Sequence, residues 1–328
     1  MLSSGSVAID LGTVNTLIWV DGRGLVLDEP TAIAVDDAAG TVAAVGAAAD
    51  ALADKEPKGI RVIHPLRNGV IADLDATAEL LHRLLRRSGA LRGPFKRRAV
   101  VCVPGGATGV ERRSLAAAFG TGRPRFLVEL VDEPVAAAAG AGFDLSAGAG
   151  GFVVDVGGGT TEVAAVAGWQ VVRAESLRMA GNAMDEAIIH AVRSSLGMIL
   201  GQRAARRLKT ELGLSGGAEG WAEAVGLDAA RRAPRTEKVP ADLVAGALEP
   251  VMTAIATTVQ NVLSDIPAGL AEDVVRGQIR LCGGGAQLPG LAARLSEVAE
   301  IGVQVTEDPL RCVVRGAAAL LASPQRSL

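Results

Sequence analysis

Apolar residues in this chain gather into short runs that break on an aspartate followed by a glycine turn. Val7-Ala8-Ile9 runs into Asp10, Leu11-Gly12-Thr13-Val14-Asn15-Thr16 follows, and the apolar pattern resumes at Leu17-Ile18-Trp19-Val20. The same plan returns as Phe152-Val153-Val154, Asp155-Val156, Gly157-Gly158-Gly159-Thr160-Thr161-Glu162 and Val163-Ala164-Ala165-Val166. Short Val- and Ile-rich runs flanking a glycine turn predict paired buried strands. The two aspartates stand 145 residues apart. A third strand ends at Leu281-Cys282, meets Gly283-Gly284-Gly285-Ala286 and passes through Leu288–Leu291 into a helix. Glycine lets backbone N–H groups approach an oligophosphate, threonine hydroxyls add donors, and an aspartate can hold Mg²⁺ through water. One such hairpin tip is as readily structural. Two matching hairpins and a later strand–glycine–helix turn predict a duplicated α/β protein that holds a nucleotide between its halves.

The remaining pattern fills in between these landmarks. Strand-like segments at Ala32–Val35 and Val42–Val45 lie in a Gly-, Asp- and Ala-rich stretch that reads as a small inserted subdomain. A helix follows with Asp75 as its expected N-cap and Leu81, Leu84 and Leu85 on one face. Arg98–Pro104 and Phe126–Val131 read as strands, with a helix from about Val110 between them. Pro134 suits the first turn of an Ala-rich helix, Val135–Gly142, and places Glu133 at its mouth. There the carboxylate is either a helix-end charge favoured by the dipole or a catalytic group. Asn182 is the expected cap of a further helix with Asp185 at its third position. Gly201–Gly213 is helical by composition, Leu214–Pro240 is poorly patterned, and a long helix covers about Pro240–Asp265.

Composition narrows the class. At 328 residues the chain can hold two medium domains, and 49% apolar content with only 2% aromatics requires a core of Ala, Val, Leu and Ile. A net charge of −3 gives no global drive toward nucleic acid. Cys102, Cys282 and Cys312 lack metal-ligand spacing and read as buried hydrophobes of a reduced cytosolic protein. Neither a signal peptide nor a spanning apolar run is expected. Seven basic residues between Arg83 and Arg98 surround a Gly/Pro-punctuated loop bearing Leu91 and Phe95. With no aromatics interleaved among its charges, the loop does not read as a nucleic-acid platform.

These motifs, in this order, resemble the actin-fold ATPases of the sugar-kinase, heat-shock-chaperone and actin superfamily, and within them the MreB family of bacterial actins. The resemblance rests on DLGTVNT (Asp10–Thr16), DEPTAIAVD (Asp28–Asp36), PLRNGVIAD (Pro65–Asp73) and VPGGATGVERR (Val103–Arg113). It continues through DEPVAAAAGAG (Asp132–Gly142), DVGGGTTEV (Asp155–Val163), MDEAI (Met184–Ile188) and EDPLRCVVRGAA (Glu307–Ala318). It implies an α/β, actin-like (ribonuclease H-like) duplicated fold of two domains, each with a small inserted subdomain, around a nucleotide cleft. The first half would be 1–142, with an insert at about 22–64, and would receive a C-terminal helix at about 309–321. The second would be 143–308, with an insert at about 181–242, and 322–328 would be a tail.

The function implied is a slow cytoskeletal ATPase whose filaments organise cell-wall synthesis and cell shape at the inner face of the cell membrane. Its cofactors would be ATP and Mg²⁺. The phosphates would sit on Gly12, Thr13, Val14, Asn15 and Thr16 and on Gly157, Gly158, Gly159 and Thr160. Gly181, Lys209, Gly283, Gly284, Gly285 and Ala286 would take the nucleoside side. Asp10 and Asp155 would act on the metal through water, while Glu133 and Thr161 orient the attacking water. Partners would be further copies of the chain, cell-shape and wall-synthesis membrane proteins, and the cytoplasmic membrane surface through the Leu91 and Phe95 loop; nucleic acid is not expected. Two features depart from the family. Ala180 replaces a glycine near the nucleotide, and Arg206 and Arg207 stand where a ribose-binding acid precedes Lys209. They leave open a filament scaffold with weak or no hydrolysis. A small-molecule kinase fits less well, for lack of a substrate insertion, and no chaperone substrate domain follows residue 321.

Overall fold

The computed structural model describes residues 5–55, 57–91, 97–120, 126–145, 149–215 and 220–322. Phe95 and residues 323–328 of the expected 322–328 tail lie outside them, while Ala322 ends a helix. Two five-stranded sheets carry the molecule. The first runs β10 (Phe126–Asp132), β9 (Arg97–Val103), β1 (Val7–Leu11), β2 (Asn15–Val20), β3 (Gly24–Pro30). The second runs β18 (Val303–Val305), β17 (Ile279–Cys282), β11 (Gly150–Val156), β12 (Thr161–Ala167), β13 (Gln170–Leu177). In each, three consecutive strands form an antiparallel meander whose first strand pairs in parallel with a later strand, and that strand in parallel with the next. One design is therefore used twice.

In the first half α2 (Leu74–Arg87) and α3 (Gly109–Gly120) cover one face, and Leu80, Leu81, Leu84 and Leu85 pack on Val7, Ile9 and Val101. The cap of α2 is Asp73 rather than Asp75: its carboxylate accepts the Ala76 N–H at 2.9 Å, and Asp75 falls in the first turn. The inserted piece is a three-stranded sheet of β4 (Ile33–Asp36), β5 (Thr41–Val45) and β6 (Ile60–Ile63) with α1 (Ala47–Ala53) laid on it. Its own small cluster is Ala32, Ala34 and Ala49, with Ala44, Leu52, Ile60 and Val62 packed against it and Ile33 also buried. A short ribbon, β7 (Leu66–Arg67) and β8 (Val70–Ile71), returns the chain to the main sheet.

In the second half α5 (Gly181–Leu196), α6 (Gln202–Leu212) and α7 (Ala241–Ser264) build the larger core. Helix α5 starts on Gly181 itself, with Ala180 as an N-cap that makes no side-chain bond, so Asn182 does not cap it. The stretch that looked poorly patterned contains a regular hairpin, β15 (Trp221–Asp228) on β16 (Pro234–Pro240), flanked by β14 (Met198–Ile199). Ala222, Ala224 and Val239 face its core; small residues and charges on alternate positions hid the period. By length and composition α7 could cross a membrane, but Val244, Leu248, Val251, Ile255, Val259 and Val262 are buried at helical spacing in this core. Helices α8 (Ala268–Gly277) and α9 (Leu291–Ala299) complete the half.

Between the sheets lie α4 (Glu133–Gly140) and α10 (Cys312–Ala322). Their shared core joins Ala8 and Val100 of one sheet to Val153 and Val166 of the other. The two helices cross at Gly140 and Gly316, where a Cβ would run into backbone of Cys312 or Ala136. Glycine is required there by close approach. The C-terminal helix thus returns to pack on β1, β2 and β9 of the first half, and the three cysteines are buried and unbridged.

Candidate functional site

The two aspartate hairpins meet tip to tip. In each turn the first glycine donates to the residue three places on: Gly12 N–H to Asn15 O at 3.0 Å, Gly157 N–H to Thr160 O at 2.9 Å. A Cβ on Gly158 would collide with the Val14 side chain, and one on Gly159 would lie 2.5 Å from Thr13 Oγ1. Each tip therefore occupies the space a side chain would need on the other. Thr13 Oγ1 accepts the Gly69 N–H at 2.8 Å, fastening the β7–β8 turn to the same spot. The N–H groups of Thr13, Val14, Gly158 and Gly159 have no partner among the described residues. Unpaired backbone donors converging from two glycine turns form an anion cradle.

A cavity of about 310 Å³ opens over these tips. It is lined by Asp10, the 11–15 turn, Glu133, Asp155, Gly157–Thr160, Gly181, Arg206, Lys209 and Gly283–Gly285. Three of the expected site residues do not line it. Thr16 is buried with its hydroxyl 2.9 Å from that of Thr31. Thr161 is buried and donates to Met179 O at 2.8 Å. Ala286 is buried under the third glycine turn. Of the two adjacent threonines it is Thr160 that faces the cavity.

The floor is acidic. Asp10 and Asp155 are the penultimate residues of β1 and β11, and Glu133 opens α4. Burial, reinforced by the Asp155 and Asp28 charges, pushes Asp10 up to about 7. Burial pushes Asp155 up to about 6. Burial, then Asp10 and Glu162, hold Glu133 well above the ordinary glutamate range. One carboxylate oxygen of Asp155, Oδ1, is buried with no hydrogen-bond partner. Buried carboxylates crowded this closely call for a positive charge to share. No three His, Cys, Asp or Glu side chains among the described residues converge as a direct metal cage. That donor set suits a hard cation that keeps its own waters, as Mg²⁺ does.

Glu162 escaped the sequence reading. It lies directly opposite Asp155 in the β11–β12 register and is buried, with Ser176 Oγ donating to it at 2.6 Å. Burial pushes it up to about 7. The period of two from Thr160 was the available signal, once Thr160 is known to point at the cavity.

The opposite wall belongs to α5 and α6. The N–H groups of Gly181 and Asn182 donate to Gly157 O and Gly158 O at 3.1 and 2.8 Å, docking α5 on the second hairpin. Asp185, fully buried on α5, pairs with Lys209 Nζ at 2.7 Å and Arg206 Nε at 3.4 Å on α6. Lys209 also donates to Gly181 O at 2.8 Å. Burial draws its ammonium below the usual lysine range, against the pull of Asp185. Two cations on one carboxylate leave this wall net positive. Arg207 turns away and bonds Glu223 O, so only one of the two arginines reaches the cavity. Leu91 packs against the first-half core rather than standing free.

Residues 4–327 match the family model described as MreB/Mbl protein. The chain belongs to the MreB/Mbl family. It is 41% identical to the cell shape-determining protein MreB of Escherichia coli K12, over 95% of this chain and 92% of that one. MreB5 of Spiroplasma citri, solved with ADP and with AMPPNP, superposes with TM-scores of 0.88 and 0.89. In both cases it is 28% identical, with 96% of this chain and 95% of that one covered. The MamK double helical filament subunit, 23% identical, shares the fold at a TM-score of 0.82 over 98% and 100% of the two chains. The duplicated sheets are thus those of an actin-like MreB/Mbl protein.

Proposed function

We propose that this MreB/Mbl protein binds ATP with Mg²⁺ between its halves, hydrolyses it slowly, and assembles into filaments that act in cell shape at the cytoplasmic face of the membrane. The observation that carries the reading is the cavity lined by two aspartate–glycine hairpins, one from each half, with unpaired N–H groups in their turns and buried carboxylates at its floor. Relatives carry the name cell shape-determining protein, and a relative of the same fold was solved with ADP and AMPPNP. Thr13, Val14, Gly158 and Gly159 would receive phosphate oxygens. Asp10 and Asp155 would hold Mg²⁺ through water, and the ion would offset the charge of the phosphates. Lys209 and Arg206 add positive potential on the nucleoside side. Glu133 reaches the same cavity and, as a carboxylate raised by burial and by its acidic neighbours, is suited to accept a hydrogen bond from a water at the terminal phosphate and to draw its proton. The bonded Thr161 hydroxyl is less suited to that task than Thr160, which faces the cavity. Robust hydrolysis is not required by the geometry. A nucleotide-binding scaffold would use the same cradle.

The test is electron microscopy and pelleting of purified protein with and without ATP-Mg²⁺, alongside phosphate release from wild type and Glu133→Gln. Filaments that depend on nucleotide, with release slowed about 10²–10³-fold in the variant and polymer retained, are expected. Equal phosphate release by both proteins would return Glu133 to a helix-end charge. Absence of nucleotide-dependent polymer at every concentration would defeat the filament reading.

A further inference from the structure

The same helix that lines the cavity also grips the other half of the molecule. Arg203, in the first turn of α6, reaches across to α1 in the insert of the first half, 153 residues away in sequence. Its Nη2 donates to Asp50 O at 2.8 Å and to Asp50 Oδ2 at 2.9 Å, and its Nε lies 3.8 Å from Asp54 Oδ2. Gly201, the N-cap of α6, also faces the Asp54 carboxylate, which would lie 3.7 Å from a Cβ there, an ordinary contact distance. One turn further along α6, Arg206, Lys209 and Thr210 line the cavity.

Each helix lacks what the other supplies. Helix α6 has no acid in its first turn and no side-chain cap, and Asp50 and Asp54 bring two carboxylates to that end. Helix α1 has no basic residue in its last turn, and Arg203 brings a guanidinium to one of its carbonyls. Charges of these signs at these ends are favourable. The α1 insert has a small core of its own, Ala32, Ala34 and Ala49 with Leu52, Ile60 and Val62 packed against them and Ile33 buried nearby, and the Arg203 contact joins this insert to the other half.

We propose that Arg203 with Asp50 and Asp54 is a cross-cleft clasp that sets how long a nucleotide stays bound. The inference rests on the nucleotide reading given above and goes beyond it by naming the group that regulates release. Arg203 does not line the cavity, so the clasp acts by holding α1 against α6, not by touching phosphate. Its side chains are partly exposed, at 53%, 30% and 32%, so salt screens the clasp. Release should therefore quicken as ionic strength rises.

The experiment is stopped-flow release of a fluorescent ADP from wild type, Arg203→Gln and the charge swap Arg203→Glu with Asp50→Arg. A second measurement is the distance between spin labels at Lys55 and Glu211 on the two sides of the contact. Arg203→Gln should release nucleotide about fivefold faster at low salt, at the upper end for an exposed ion pair. Its rate should lose most of its salt dependence, and its label distribution should broaden toward longer distances. The swap should recover most of the wild-type rate. A general loss of stability would lower melting temperature without such recovery. Release and label distance both unchanged in Arg203→Gln, with the ADP analogue still bound, would overturn the clasp while leaving the nucleotide site intact. Failure of wild type to bind the analogue at all would overturn the clasp together with the reading it rests on.

Discussion

The two halves share a sheet strand for strand, yet what stands above each sheet differs. In the second half the insert is continuous with a large core: α5, α6 and the β15–β16 hairpin bury Met184, Ile188, Leu208, Ala224 and Val239 in the same cluster as Phe152 and Val154 of the sheet. In the first half the insert closes over a small separate cluster, Ala32, Ala34 and Ala49 with Leu52, Ile60 and Val62 packed against it. The second half therefore presents a rigid wall, with Lys209 and Arg206 fixed by buried Asp185. The first carries a lightly cored insert that meets α6 through Arg203. Duplication supplied two aspartate–glycine hairpins, and the inserts above them diverged in the size of their cores.

The comparison breaks most sharply at the floor, where the two halves contribute one aspartate each. Asp10 and Asp155 are pushed up to about 7 and about 6 in the ligand-free protein. Unfolded carboxylates titrate near 4. Between those values the native state holds more protons than the unfolded state, so stability falls as pH rises through that window. Asp155→Asn removes its share of this cost. The variant should melt higher than wild type at pH above 7, by about 2–4 °C for each kcal/mol relieved, and show a flatter pH dependence. Wild type should gain stability from ATP-Mg²⁺ where the variant gains little. Thermal melts across pH, with and without nucleotide, check both halves of this statement. A wild-type melting temperature that rises with pH across the window would contradict it.

A smaller effect sharpens the view of the wall. Arg206 lines the cavity and Arg207 does not. Arg206→Ala should weaken ATP binding by a few-fold, about what one modest charge interaction contributes, whereas Arg207→Ala should leave affinity within about twofold. Fluorescence titration of the two variants measures the difference. Equal losses would mean that charge acts at a distance and not through the placement of α6.

Much of this architecture could be read from sequence because its chemistry forces local signals. An aspartate before a glycine turn, set between Val-rich strands, allows few alternatives, and both hairpins and the third glycine turn lie where that pattern puts them. The positions that could not be read depend on register or on distant partners. Thr160 and Thr161 are chemically identical, and only the β11–β12 pairing decides which meets the cavity. Glu162 becomes visible by the same pairing, opposite Asp155. Asp73 and Asp75 are both acceptable caps, and the choice follows from where the β7–β8 ribbon delivers the chain. Asp185 falls in the first turns of a helix by sequence, but Lys209 and Arg206 approach it from another helix, and its complete burial beside a mostly buried Lys209 favours the ion pair. Arg206 and Arg207 differ by one step around α6, a matter of helix rotation that composition does not record.

The central claim is that the meeting point of the two hairpins is the nucleotide site, and calorimetric titration of ATP-Mg²⁺ into wild type and Gly158→Val tests it most directly. Valine at 158 would collide with Val14 and spread the tips, while the cost of overpacking, about 1–3 kcal/mol, should leave the chain folded. One site per chain in wild type and loss of measurable heat in a folded Gly158→Val protein is the result expected. Undiminished one-site binding by that variant would place the nucleotide elsewhere.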